Sequence, residues 1–215
     1  MQEALLFILG VVLACFTVRA VRYESLGAAL AQASNWQPVL LGIITNISTF
    51  RQFSWLDLIS EITLGFWFIT CWHLQFPIQY YALGMISLYL VLWDWLRLEI
   101  PVDGLVLLTI LSILNILHCG EFQLFLSLSL PLGFMLLTFI LYKIKRLPVV
   151  IPWGDVWALG CIGVWISNAA EFVFMVGVVS LIIFYLRQKV LHLPLVPSLC
   201  IAMAIDIVSD YNYFL

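Results

Sequence analysis

Residues 172–186 read FVFMVGVVSLIIFYL, an apolar run without a charged side chain. A run of this kind is typical of a helix surrounded by lipid or by protein rather than by water. The rest of the chain has the same character, because 64% of its 215 residues are hydrophobic and only 10% are charged. Water-soluble domains keep about a quarter of their residues charged. The composition therefore predicts an all-α integral membrane protein.

Hydropathy predicts about eight transmembrane helices, of which several are shorter than the roughly 20 residues of a full crossing. Their ends are expected to extend by a few residues. The predicted helices cover residues 4–18, 56–74, 78–95, 102–117, 122–142, 155–166, 172–186 and 193–207. The shorter apolar segment 38–50 is predicted to be re-entrant or interfacial. No polar stretch is long enough to fold alone, so residues 1–215 are predicted to form a single domain.

The basic residues indicate how these helices are oriented. All nine lie between odd-numbered helices and the even-numbered helices that follow them: Arg19, Arg22, Arg51, Arg97, Lys143, Lys145, Arg146, Arg187 and Lys189. The loops on the opposite side carry no lysine or arginine. The positive-inside rule makes the basic side cytoplasmic, so the N-terminus is expected outside. The scattered basic residues form no long stripe, which disfavours nucleic acid as a partner.

Two acidic residues are predicted to lie just inside the apolar boundary, on the cytoplasmic side. Asp94 ends the third helix in LVLWDWLRLEIPVDG, and Asp155 opens the sixth in VVIPWGDVWALG. Ionisable groups in a membrane are costly and usually functional. Two simpler explanations stay open: Asp155 could cap a helix start, and Asp94 could be an interfacial residue within an aromatic belt. Asp57 and Glu99 are predicted to be solvated loop residues, and Asp206 is predicted to lie at an ordinary outer interface.

Paired carboxyl groups in a poorly solvated site can hydrolyse a peptide bond. Because they cannot both ionise easily, they share one proton and supply a base beside an acid. The base activates water while the acid polarises the peptide carbonyl. Gly154 would let a substrate backbone approach closely, and Pro101 would stop the helix after Ile100. Such chemistry requires no metal.

The same residues resemble motifs of the type IV prepilin leader peptidases, a family of membrane aspartyl proteases. Asp94 is followed by Ile100 and Pro101 as in D-x5-I-P, and Trp153-Gly154-Asp155 stands where the family has G-x-G-D. LGVVLACFTVRAVR is similar to the family's opening segment. FSWLDLISEITLGFWF is similar to its second-helix motif and puts Glu61 on the glutamate, and LHLPLVPSLCIAMA is similar to its closing proline motif.

The resemblance implies removal of the short basic leader from type IV prepilins or pseudopilins, at the cytoplasmic face of the inner or plasma membrane. Asp94 and Asp155 would take the two catalytic positions. Many members then methylate the new N-terminus with S-adenosylmethionine. Because the leader is basic, some of the four acidic residues Asp57, Glu61, Glu99 and Asp103 are predicted to attract its charges.

The chain departs from the family in three places. Pro152 replaces the first glycine of G-x-G-D, and Trp157 replaces the usual lysine. The cytoplasmic loop with paired C-x-x-C motifs is absent, so no zinc is predicted and methylation stays open. Two alternative functions remain: an inactive relative in pilus or secretion assembly, and a small transporter. A transporter would place acidic residues near the membrane midplane, whereas Asp94 and Asp155 are predicted at one face.

Overall fold

A computed structural model describes residues 2–31, 55–97, 100–117, 121–145, 153–186 and 195–212. Within these residues the chain forms α-helices and no β-strand, which confirms the all-α prediction. The eight helices described are α1 (Gln2–Ala31), α2 (Trp55–His73), α3 (Ile78–Arg97), α4 (Val102–Ile116), α5 (Glu121–Lys145), α6 (Trp153–Gly163), α7 (Ala169–Leu186) and α8 (Leu195–Asn212).

Each predicted helical segment coincides with one of these helices, and most ends differ by only a few residues. The largest difference is α1, which continues to Ala31 instead of ending at residue 18. Its extension, RAVRYESLGAALA, is rich in alanine, leucine and arginine, which favour helix without needing an apolar face. The segment 38–50 lies outside the described residues. Among the residues that are described, no helix is both long enough and apolar enough to cross a membrane.

Contacts divide the chain into two compact units, Met1–Leu92 (unit 1) and Trp93–Leu215 (unit 2). The division falls inside α3, so the last turn of this helix belongs to unit 2. The prediction of a single peptidase domain stays a prediction.

In unit 1, α1 and α2 pack against each other in opposite directions. Glu3 at the start of α1 lies 3.2 Å from His73 at the end of α2, measured from Oε1 to Nε2. Between these ends, Gly10 meets Gly65 so closely that a Cβ on Gly10 would lie 2.8 Å from the Gly65 Cα. Only glycine allows two helix backbones to approach to this extent.

In unit 2, α6 is the central helix and packs against α4, α5 and α8. A Cβ on Gly163 would lie 2.6 Å from the Ser127 Cα, so α6 approaches the backbone of α5 directly. Helix α6 runs parallel to α4 and antiparallel to α5, as alternating connections require. The end of α3 and the starts of α4, α6 and α8 consequently meet at one end of unit 2, which we call the aspartate end.

Candidate active site

Asp94 lies in the last turn of α3 and is only 5% exposed. Its Oδ2 accepts a hydrogen bond of 3.0 Å from the backbone N–H of Val196, the second residue of α8. The first N–H groups of a helix have no partner within the helix and carry partial positive charge. The start of α8 therefore supplies a donor and a favourable field to a buried carboxyl group that stands at the unfavourable end of its own helix.

Asp155 is the third residue of α6 and is 8% exposed. The negative charge of Asp94 acts on its carboxyl group, so the structure brings the two aspartates within electrostatic range of each other. Both residues belong to unit 2. Asp155 stands inside the first turn rather than at the N-cap position, which precedes the helix. A carboxylate in the first turn also suits the positive end of its own helix, so the alternative role of Asp155 at the helix start stays a prediction.

The segment that leads into α4 packs against the start of α6. A Cβ on Gly154 would lie 3.0 Å from Cδ1 of Ile100, so the missing side chain makes room for Ile100. Pro101 is the N-cap residue of α4, with extended backbone angles of φ −69° and ψ 134°. Its carbonyl accepts the Leu105 N–H at 3.2 Å. Gly154 and Pro101 thus have structural roles at the aspartate end, and the role of Gly154 in substrate approach stays a prediction.

The remaining predicted site residues are distributed over the chain. Asp103 is exposed in the first turn of α4, at the aspartate end. Glu61 is half-buried in α2 of unit 1, and Glu99 lies outside the described residues. The prediction that Asp57 is a solvated loop residue was wrong. Because α2 begins at Trp55, Asp57 falls in its first turn on a covered face and is only 7% exposed.

Sequence reasoning missed a row of hydrogen bonds that joins α4 to the parallel helix α6 and to the turn directly after it. Its α4 members, Thr109, Ser112 and Asn115, recur every three residues and so share a helix face. The bonds join Trp157 Nε1 to Thr109 Oγ1 (2.8 Å), Ser112 Oγ to the Cys161 carbonyl (3.0 Å), Trp165 Nε1 to Ser112 Oγ (3.1 Å) and Asn115 Nδ2 to the Val164 carbonyl (3.4 Å). Polar bonds between apolar helices fix their register. We call this row the polar seam.

Asp206 is a third buried aspartate, at the end of unit 2 opposite to the aspartate end. The prediction of an ordinary interface residue was wrong, because Asp206 is 1% exposed. Its carboxylate accepts hydrogen bonds from the Ser167 N–H (2.7 Å), the Ser167 hydroxyl (3.0 Å) and the Asn168 N–H (3.2 Å). Asn168 in turn caps α7 by accepting the Ala170 and Glu171 N–H groups. Asp206 therefore fixes the connection between α6 and α7.

No protein-family model, curated protein or solved structure matches the chain. The resemblance to prepilin leader peptidases stays a prediction that depends on the motifs quoted above.

Proposed function

We propose that this protein is a membrane aspartyl endopeptidase that removes the basic leader from type IV prepilins or pseudopilins. The observation that carries the proposal is that two buried aspartates, Asp94 and Asp155, lie within electrostatic range of each other at one end of unit 2. Burying two carboxyl groups next to each other costs stability unless they share a proton. Retaining such a pair is more readily explained by chemistry than by packing.

The proposed mechanism is general acid–base hydrolysis. The Val196 N–H favours charge on Asp94, which makes Asp94 the base that takes a proton from the attacking water. Protonated Asp155 polarises the carbonyl of the scissile bond. The two groups then exchange roles when the leaving amine is protonated. This mechanism requires no metal or other cofactor. S-adenosylmethionine would be needed only if the new N-terminus is also methylated.

The composition and the exposed surfaces of the helices support a location in the membrane. Helix α5 exposes a row of large apolar side chains at helical spacing: Phe125, Leu128, Leu132, Leu136 and Phe139. Helix α7 exposes Phe174 and Leu181 in the same way. Extended apolar faces are unusual on proteins surrounded by water. We propose eight membrane passages with the aspartate end at the cytoplasmic face.

Topology can be tested at the two ends of α5, which are separated by ~36 Å at a rise of 1.5 Å per residue. Single Glu121→Cys and Lys145→Cys variants would be labelled in intact cells with a membrane-impermeant maleimide, and the wild-type chain would give the background. We expect Glu121→Cys to react from outside, because the basic side is cytoplasmic. We expect Lys145→Cys to react only after the cells are permeabilised. Equal labelling of both variants in intact cells would refute the proposed topology.

Cleavage is tested most directly by incubating the purified protein in lipid nanodiscs with a purified prepilin. Mass spectrometry should detect the free leader and a product that begins just before the pilin's hydrophobic helix. The same assay with added chelator separates the proposed chemistry from metal-dependent proteolysis. Absence of product with prepilins that carry a basic leader would contradict the proposed function.

Asp103 is expected to contribute to binding of the leader. It is exposed at the aspartate end, so Asp103→Asn should raise KM, but by no more than about fivefold because an exposed ion pair contributes only about 0–1 kcal/mol. The effect should diminish as salt screens the charges. Glu121→Gln, at the start of α5, is the matched control. KM would be measured at low and at high salt. If KM at low salt were unchanged in a Glu99→Gln, Asp103→Asn double variant, a role of these carboxylates in binding the leader would be excluded.

A further inference from the structure

Asp155 lies between two contacts that α6 makes with the same neighbouring element. On one side of it in sequence, Gly154 accommodates Ile100, which leads into α4. On the other side, the Trp157 indole N–H donates to Thr109 Oγ1 of α4 at 2.8 Å. First turns of helices lack internal partners for their N–H groups and fray readily. The position of Asp155 therefore depends on these two outside contacts.

The Thr109 hydroxyl has its hydrogen-bonding capacity filled. It donates to the Leu105 carbonyl at 2.7 Å, which uses its one hydrogen. The Trp157 indole and the Cys161 thiol, at 3.4 Å, must consequently both donate to its oxygen. One hydroxyl group thus connects α4 to two successive turns of α6, so the rotation of α6 about its axis is fixed near Asp155.

Helix α4 is also connected to the other aspartate. Asp94 lies near the end of α3. Ile100 and Pro101 stand after this helix and just before Val102, where α4 begins. The element that holds the first turn of α6 is therefore the next helix after the one that carries Asp94. A displacement of α6 along or about its axis would change the separation of the two carboxyl groups.

We propose that Thr109 is a positioning residue, which holds Asp155 beside Asp94 through its hydrogen bond with Trp157. The catalytic consequence rests on the proposed function. Trp157 stands where the resembled family has lysine, so this chain replaces a charged side chain with an indole that reaches α4. Thr109 does not touch the substrate in this proposal, and it acts only through α6.

The test compares Thr109→Val, which keeps the shape of the side chain without the hydroxyl, with Thr109→Ser, which keeps the hydroxyl. Trp157→Phe removes the donor and leaves Thr109 intact. We expect Thr109→Val and Trp157→Phe each to lower kcat about fivefold, the effect of one neutral hydrogen bond, with KM unchanged. Thr109→Ser should retain wild-type kcat. The double variant Thr109→Val, Trp157→Phe should be no slower than either single variant, because both changes remove the same hydrogen bond.

Ser112→Ala is the matched control, because it removes two bonds of the polar seam farther from Asp155 and should leave kcat unchanged. Backbone hydrogen exchange of residues 153–160, followed by mass spectrometry, gives a readout that does not require activity. Thr109→Val should accelerate that exchange about fivefold, and Ser112→Ala should not.

If the wild-type protein cleaves no prepilin, the proposed function fails and the exchange still decides whether Thr109 holds the turn. The proposal would be overturned if hydrogen exchange of residues 153–160 were as slow in Thr109→Val as in the wild type. It would also be overturned if Thr109→Ser lost as much kcat as Thr109→Val.

Discussion

Replacing either Asp94 or Asp155 by asparagine is expected to abolish cleavage of the leader. Asparagine keeps the size of the side chain and part of its hydrogen bonding, but it cannot accept the proton of the attacking water. General acid–base catalysis contributes about 10²–10⁴ per group, so kcat should fall at least by this factor. Because the two carboxyl groups act as one unit, the double variant should be hardly slower than either single variant.

The measurement is the rate of leader release by equal amounts of correctly inserted protein. Glu61→Gln in α2 is the control and is expected to lower the rate only partly. If Asp155 only stabilises the start of α6, Asp155→Asn should leave the rate of leader release nearly unchanged, because asparagine caps a helix about as well as aspartate. Full cleavage by well-expressed Asp94→Asn or Asp155→Asn would rule out the catalytic pair.

Replacing Asp206 by alanine is expected to cause the largest loss of stability. The change leaves the Ser167 N–H, the Ser167 hydroxyl and the Asn168 N–H without their acceptor. A buried donor that loses its partner costs about 1–3 kcal/mol. Because the three donors can shift partly toward other acceptors, the free energy of unfolding should fall by roughly 3–5 kcal/mol.

Thermal unfolding in detergent, followed by tryptophan fluorescence, measures this loss. Asp206→Asn keeps one acceptor oxygen and should lie between the wild type and Asp206→Ala. Asp210→Ala is the matched control, because Asp210 is on the same helix, one turn further along, and is partly exposed. A melting temperature for Asp206→Ala equal to that of Asp210→Ala would show that the three hydrogen bonds contribute little.

The helices were predictable from the sequence because long apolar runs are a local signal. Each predicted segment coincides with a helix, and α7 begins only three residues before its predicted start at residue 172. The end of α1 was not predictable in this way. Residues 19–31 continue the helix through favourable backbone propensity, which hydropathy does not record.

The candidate site was only partly predictable. The rarity of acidic residues in apolar surroundings singled out Asp94 and Asp155, but it did not distinguish Asp206, whose burial depends on the connection that folds over it. Asp57 was missed for a similar reason, since the neighbouring residues do not show which face of α2 is covered. The spacing of Thr109 and Ser112 was visible in the sequence, but their partners on α6 lie about fifty residues away. Pairings at that distance depend on how the helices pack.

The hydrogen bond from α8 to Asp94 comes from the main chain of Val196 and not from its side chain. Every amino acid except proline supplies this donor. An alanine scan of α8 would leave the bond intact and would detect only the packing lost at a fully covered valine. The bond therefore sets no condition on the side chain at position 196 other than the exclusion of proline, so it would leave no trace of its own in a pattern of conserved residues.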